Sequence, residues 1–499
     1  MKIPSPFSRS ARIISLIFAL ILLISTLSLL CSCDNDDPKD TDSDQLTDTQ
    51  EPSQSVSESV TDEISEEPSN SERPTEAPTE APTEAPTEAP TEASTEKKEE
   101  PKEDVAVLPD KVTDYVANNP ENMKALWISQ FDLANIYTLD GAQRNQKSFT
   151  TFIKKILSNT VANGFNTVIV QARPYADSMY PSEIYPQSRF INGKYGKYCS
   201  YDPLAIIVEE AHALGLSVQG WINPMRCMTT TEIKSVGDEY KIKQFYNDNT
   251  KKGRYIVAVN SYYYPNPAYP EVRQLIVDGA KELMEHYALD GLHMDDYFYP
   301  TTESSFDTAA RKEYNTENLS VKNFRRDALN KLVSELYAAV KEVRPSALFG
   351  ISPSGVMNTV YESHCADIYT WCKDDGYIDY ICPQIYFGFE HATCPFDKTF
   401  EKWVDIIKNP NVKLYVGISL GKAKSKEDKY AGSGKNEWAE HDDIILRELQ
   451  YLSGTEKCDG VAFFCYQYFY DPKSNFPVSE TKKERDNFIP YFKDMFNQK

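Results

Sequence analysis

From about residue 120 to the C-terminal end of the chain, short β-rich runs alternate strictly with longer amphipathic stretches, and nothing else in the sequence constrains the fold as much. The runs fall at 125–129, 167–171, 216–222, 291–295, 348–352, 378–384, 412–418 and 460–465. Between and after them, helical periodicity occupies 145–160, 202–214, 270–287, 320–343, 364–375, 397–408, 440–453 and 482–496. Eight strands and eight helices in this order predict an α/β fold, the closed parallel (β/α)8 TIM barrel, over residues 120–499.

Two segments precede the barrel. Lys2, Arg9 and Arg12 stand before an apolar run over 13–30, the pattern of a secretory signal peptide over 1–32. The run ends at Leu30-Cys31-Ser32-Cys33, which looks like a bacterial lipobox with Cys33 as the lipidated new N-terminus; an uncleaved membrane anchor is the alternative. Both predict export and attachment to the outer face of the cell membrane. Residues 33–119 read as an acidic tether with five consecutive Pro-Thr-Glu-Ala units over 74–93, too poor in large apolar side chains to fold alone.

Charge is informative once it is divided. The chain total is −22, but 24 acids against 5 bases lie within 34–105 and three bases precede them, leaving residues 106–499 at only −6. That balance argues against a nucleic-acid partner. The 32 tyrosines suit either a packed core or a sugar groove.

Catalytic groups of such barrels sit at the carboxyl ends of the strands. There the sequence places Gln171, Arg173 and Asp177 after strand two, Asn223 and Arg226 after strand three, and Gln384 and Tyr386 after strand six. Strand four, Asp290-Gly-Leu-His-Met-Asp-Asp-Tyr297, is the most telling. Alternation turns Gly291, His293 and Asp295 into the barrel and Leu292 and Met294 toward the helices, with Asp296 at the turn. Asp295 is then either a catalytic carboxylate, kept ionised by Arg173 and Arg226, or a buried group merely paired with one of those arginines.

The segments 166–181, 220–226, 290–300 and 383–386 together resemble the glycosyl-hydrolase-like family 10, a group of bacterial envelope barrels, over about 123–470. The resemblance implies hydrolysis of a glycan, with peptidoglycan strands or another acetamido-sugar polymer as substrate. It assigns the cleft to Asp295, Asp296, Tyr297, Arg173, Asp177, Asn223, Arg226, Gln384 and Tyr386. Met225 departs from the family pattern, which commonly has an aromatic residue there.

Glycoside cleavage uses two carboxyl groups. Asp295 is the expected nucleophile or base; the acid is Asp296, Asp177 or Glu390, in that order. The strand-four segment is also similar to the Asp-Gly-x-Asp-x-Asp-x-Glu strand of chitinases, but Tyr297 occupies the position of their acid. Carboxylate chemistry of this kind calls for no cofactor or metal. The six histidines form no His-x-His or His-Glu-x-x-His, and His293 reads as a hydrogen-bonded core residue. No Gly-x-Ser-x-Gly elbow is present, and Gly432-Ser-Gly434 with Lys435 has the wrong spacing for a phosphate loop. Beyond the lipobox, eight cysteines are expected mostly as free thiols, with Cys382–Cys394 the least strained loop closure. A glycan-binding barrel without turnover, an adhesin or capture protein, is the second functional class; it needs no second acid within reach of Asp295.

Overall fold

The computed structural model describes residues 105–496, so the expected signal segment, Cys33 and the Pro-Thr-Glu-Ala repeats lie outside the described residues. Eight parallel strands close a barrel: β1 Met123–Ile128, β2 Thr167–Arg173, β3 Ser217–Ile222, β4 Gly291–Met294, β5 Leu348–Ile351, β6 Tyr380–Ile381, β7 Lys413–Ser419 and β8 Gly460–Phe464. Each strand pairs with its sequence neighbours, and β1 closes the ring on β8 through Met123 and Gly460. The main outer helices are α1 Gln146–Ala162, α2 Pro203–Ala213, α3 Pro270–His286, α4 Val321–Val343, α5 Ile368–Trp371, α6 Phe396–Ile406, α7 Ile444–Thr455 and α8 Lys482–Asp494.

Two elements differ in extent from the sequence reading. Strand β6 keeps only two residues of regular pairing, because Pro383 has no N–H to donate and the chain turns toward Gly417. Helix α5 is a single turn after a π-helical stretch over Thr359–Ser363. An antiparallel hairpin, Ile256–Val259 with Tyr262–Pro265, was not anticipated and stands between β3 and α3.

Alternation along β4 places side chains as expected. The Trp127 indole Nε1 of β1 donates to His293 Nε2 at 3.2 Å, a contact that can be made only across the barrel interior. His293 Nδ1 meets the Tyr380 hydroxyl at 2.8 Å, and burial pushes the imidazole down to about 3. Because an indole N–H only donates, Nε2 must accept, so the neutral ring carries its proton on Nδ1. It is a hydrogen-bonded core histidine.

The tether expected to reach residue 119 ends sooner. Residues 105–119 form a strap docked on the barrel. Ala106 N donates to Cys199 O, Val112 N donates to Glu285 O, and Lys111 pairs with Glu285 at 2.7 Å. Leu108 and Ala117 pack on the core, and Asn119 reaches the inward Gln219 at 2.9 Å. These few apolar and hydrogen-bonding residues suffice once a barrel surface is there to receive them, which composition alone does not show. Cys199, Cys227, Cys365, Cys372, Cys382 and Cys465 are free thiols, so the Cys382–Cys394 closure is not made. Among the described residues, no helix is long and apolar enough to cross a membrane.

Candidate active site

Asp295 and Asp296 leave the carboxyl end of β4 side by side, the first buried and the second half-buried. Asp295 Oδ2 accepts from Asn223 Nδ2 at 2.5 Å, and Oδ1 accepts weakly from Tyr297 N at 3.3 Å. Gln384 donates to Asp296 and also to the Ser352 carbonyl at 3.0 Å. Tyr386, stacked on Phe464 with centroids 6.0 Å apart, lies close enough to both carboxyls to feel their charge.

Burial pushes both carboxyls well above the ordinary carboxylate range. Asp295 moves furthest, because the Asp296 charge adds to its desolvation, while Arg226 and the Asn223 hydrogen bond pull it down. The expectation that cations keep Asp295 ionised is therefore corrected. Like charges this close resist joint ionisation, so around neutral pH the pair holds a proton, chiefly on Asp295.

Arg226 is the cation that faces the pair. Its guanidinium lies 4.1 Å from the Tyr175 ring centroid and 3.9 Å from that of Tyr297, and Nη2 donates to the Tyr175 hydroxyl at 2.6 Å. Ring faces on two sides and a hydroxyl at the fork fix this long side chain where its charge is felt by Asp295. Met225 beside it is buried in the core.

Arg173 does not join it. The register of β2 against β3 shifts between Gln171, opposite Trp221, and Arg173, opposite Ile222. This bulge breaks the simple alternation of side chains, so Gln171 stays inward while Arg173 turns toward α3. There its guanidinium stacks on Tyr185 at 4.2 Å, in space left by Gly279, where an added Cβ would stand 2.6 Å from Nη1.

Asp177 is likewise corrected from the cleft to the loop. It is fully buried, accepts from Tyr175 N at 2.7 Å and the Tyr195 hydroxyl at 3.1 Å, and so braces the segment after β2. Glu390 sits on the exposed part of the segment after β6, its backbone N–H held at 3.0 Å by the buried Glu437, and no contact brings its carboxyl to Asp295. Of the three candidate acids, only Asp296 stands next to Asp295.

Sequence reasoning missed Gln130 and Tyr175 as members of the site. Gln130 N donates to Gln171 Oε1 at 2.6 Å, Gln171 Nε2 to Asn223 Oδ1 at 2.8 Å, and Asn223 Nδ2 to Asp295. A backbone N–H can only donate, so it dictates the orientation of both amides in turn. Every bond of the chain points at Asp295 Oδ2, the oxygen with the stronger donor, which favours Oδ1 for a proton on Asp295. Gln130 carried the same signal as the others, a polar residue at the end of an apolar strand; Tyr175 stood inside the segment that carries the family resemblance.

Comparison with known proteins places the chain in a family. Residues 122–431 match the model of the family described as glycosyl hydrolase-like 10. The chain is 31% identical over 367 residues to the glycosyl hydrolase YngK of Bacillus subtilis (strain 168), covering 68% of each protein. It is 27% identical over 338 residues to the glycosyl hydrolase DigH of Escherichia coli (strain K12), covering 63% of this chain and 75% of that one. Among solved structures, the glycoside hydrolase domain of PgaB (BpsB) from Bordetella bronchiseptica aligns with a TM-score of 0.47 at 11% identity, covering 74% of this chain and 99% of that domain. On the family match, the chain belongs to the glycosyl hydrolase-like 10 family.

Proposed function

We propose that this protein is an exported, lipid-anchored glycoside hydrolase of a cell-envelope or extracellular glycan, with stem-free peptidoglycan strands or another acetamido-sugar polymer as substrate. The observation that carries the reading is the carboxyl pair: two acids on consecutive residues at the exit of a barrel strand, one buried and one half-buried, faced by Arg226. Asp295 holds the proton at neutral pH and donates it to the leaving glycosidic oxygen, which reverses the roles expected from the sequence, where Asp295 is the nucleophile or base and Asp296 the first candidate acid. Asp296, ionised and oriented by Gln384, stabilises positive charge as the bond breaks. Both groups leave the same strand end on consecutive residues, too close together to flank a sugar ring. The attacking group therefore comes from elsewhere: water, or the substrate's own acetamide oxygen if the sugar carries one. Membrane attachment follows from the signal segment and Cys33.

Incubating the soluble barrel with stem-free peptidoglycan glycan and sizing the products tests the chemistry. Asp295→Asn is expected to lower turnover at least about a hundredfold with substrate affinity changed only a few-fold, and Asp296→Asn gives the comparison. A wild-type protein that binds acetamido-sugar polymers yet releases no fragments would make the barrel a binder. Detergent partitioning of wild type against Cys33→Ala tests the anchor: equal partitioning of a correctly processed variant counts against lipidation.

A further inference from the structure

Six residues from the ends of the first four strands form a closed circuit around Asp295. One arm is the directed chain already described, from Gln130 N through Gln171 and Asn223. The other starts at the same residue: Gln130 Nε2 donates to the Tyr175 hydroxyl at 3.3 Å, Tyr175 accepts from Arg226 Nη2 at 2.6 Å, and the Arg226 charge acts on Asp295. Gln130, Gln171, Tyr175 and Asn223 are all buried, so water does not readily replace a lost link. The origin is rigid as well, because Gln130 opens the helix Gln130–Tyr137, whose Ser129 and Asp132 form a reciprocal cap.

We propose that Tyr175 and Gln171 are positioning residues that hold the two arms of this ring against Asp295 and thereby set the pH at which the carboxyl pair gives up its proton. The assignment rests on the catalytic reading of the pair but reaches beyond it, to residues that act on Asp295 through Arg226 and Asn223.

The sign follows from what each arm delivers. Arg226 and the Asn223 donor both favour the carboxylate. Loosening either leaves the proton held more tightly. The other ionisable groups facing the pair are the ring hydroxyls of Tyr297, from the same strand end, and Tyr386, from the segment after β6. Both phenols are pushed further up by burial and stay neutral over the working range, so neither masks the effect. Tyr264 of the hairpin, next to Arg226, is also pushed up by burial.

The test compares wild type with Tyr175→Phe, which keeps the ring under Arg226 but removes the hydroxyl, and Gln171→Leu, which cuts the other arm. Tyr175→Phe is expected to move both limbs of the kcat/KM–pH profile on stem-free glycan upward by about half a unit or more, because Arg226 acts on both carboxyls, and Gln171→Leu to move the upper limb by as much, because Asn223 acts on Asp295 alone, with a lowered but still cooperative melting transition. Carboxyl carbon NMR of aspartate-labelled protein, without any glycan, is expected to show the highest-titrating aspartate moving the same way. A loss that is only structural would lower activity at every pH without moving either limb. If both variants fold and neither the limbs nor the NMR titration move, the inference is overturned. If the wild type cleaves no glycan, the NMR titration alone decides this inference, and it is the hydrolase reading that fails.

Discussion

Strand β4 carries an aspartate just before it and another just after it, and the two are solvated by the protein in opposite ways. Asp290, at the start, is fully buried, and its Oδ1 accepts from the Tyr115 hydroxyl at 2.6 Å and Asn118 N at 2.6 Å. Its Oδ2 takes Val218 N at 2.7 Å and His212 Nε2 at 3.0 Å. Asp295, at the exit, has one strong donor and one weak one, and a second carboxyl beside it. A carboxylate whose lone pairs are filled by strap, helix and neighbouring strand is a fastener. One that is buried and left short of donors, with a like charge adjacent, is poised to hold and release a proton. Five residues of sequence separate the two roles, and only their surroundings distinguish them.

The sharpest way to break the comparison is to remove the donors of the fastener. Deleting residues 34–119 takes Tyr115, Asn118 and Asn119 away together, and is expected to cost more stability than any single change at this end, read as the loss of a cooperative unfolding transition or a large drop in its midpoint. Asp290→Ala leaves Val218 N buried and unpaired and takes the acceptor from the Tyr115 hydroxyl, Asn118 N and His212. It is expected to destabilise by about 3–5 kcal/mol in denaturant titration, with turnover per folded molecule little changed.

At the exit the sign reverses. The folded state holds Asp295's proton at pH values where the unfolded chain, titrating at about 3.9, has already released it. Stability therefore falls as pH rises from about 4 until the pair is fully ionised. Asp295→Asn is expected to melt above wild type over that range, the gap growing with pH and vanishing below about pH 4, even as activity is lost. An asparagine variant less stable than wild type at pH 8 would show that Asp295 is a fastener too. The smallest effect is expected from deleting only residues 34–103, which leaves the strap in place: the unfolding free energy should hold to within about 0.5 kcal/mol.

The barrel was legible because its signal is repetitive: eight apolar runs at regular spacing leave few alternatives, and period-two alternation was enough to point His293 and Asp295 inward. The same alternation failed for Arg173, since the β-bulge after Gln171 depends on pairing with β3 and leaves no mark in β2's own residues. Asp177 and Glu390 looked like Asp296 as residue types. What separates them is whether the carboxyl meets loop N–H groups, solvent or another acid, a property of the folded chain. The strap was hidden by its small number of apolar residues, because its stability comes from hydrogen bonds to partners as distant in sequence as Asp290 and Ser346.

The strap also makes the response of the barrel to a pull on its N-terminal side depend on direction. It begins beside Cys199, in the segment joining β2 to α2 on the catalytic side. It then passes Glu285 and His286 at the far end of α3 and arrives at Asp290 beneath the barrel. A force applied at Val105 along the barrel axis loads these attachments together in shear, whereas a sideways force peels them singly, Ala106 from Cys199 first. Resistance to pulling thus depends on direction, and a barrel dragged lengthwise by its N-terminal side keeps its lower end closed under loads that would strip the strap if applied across it.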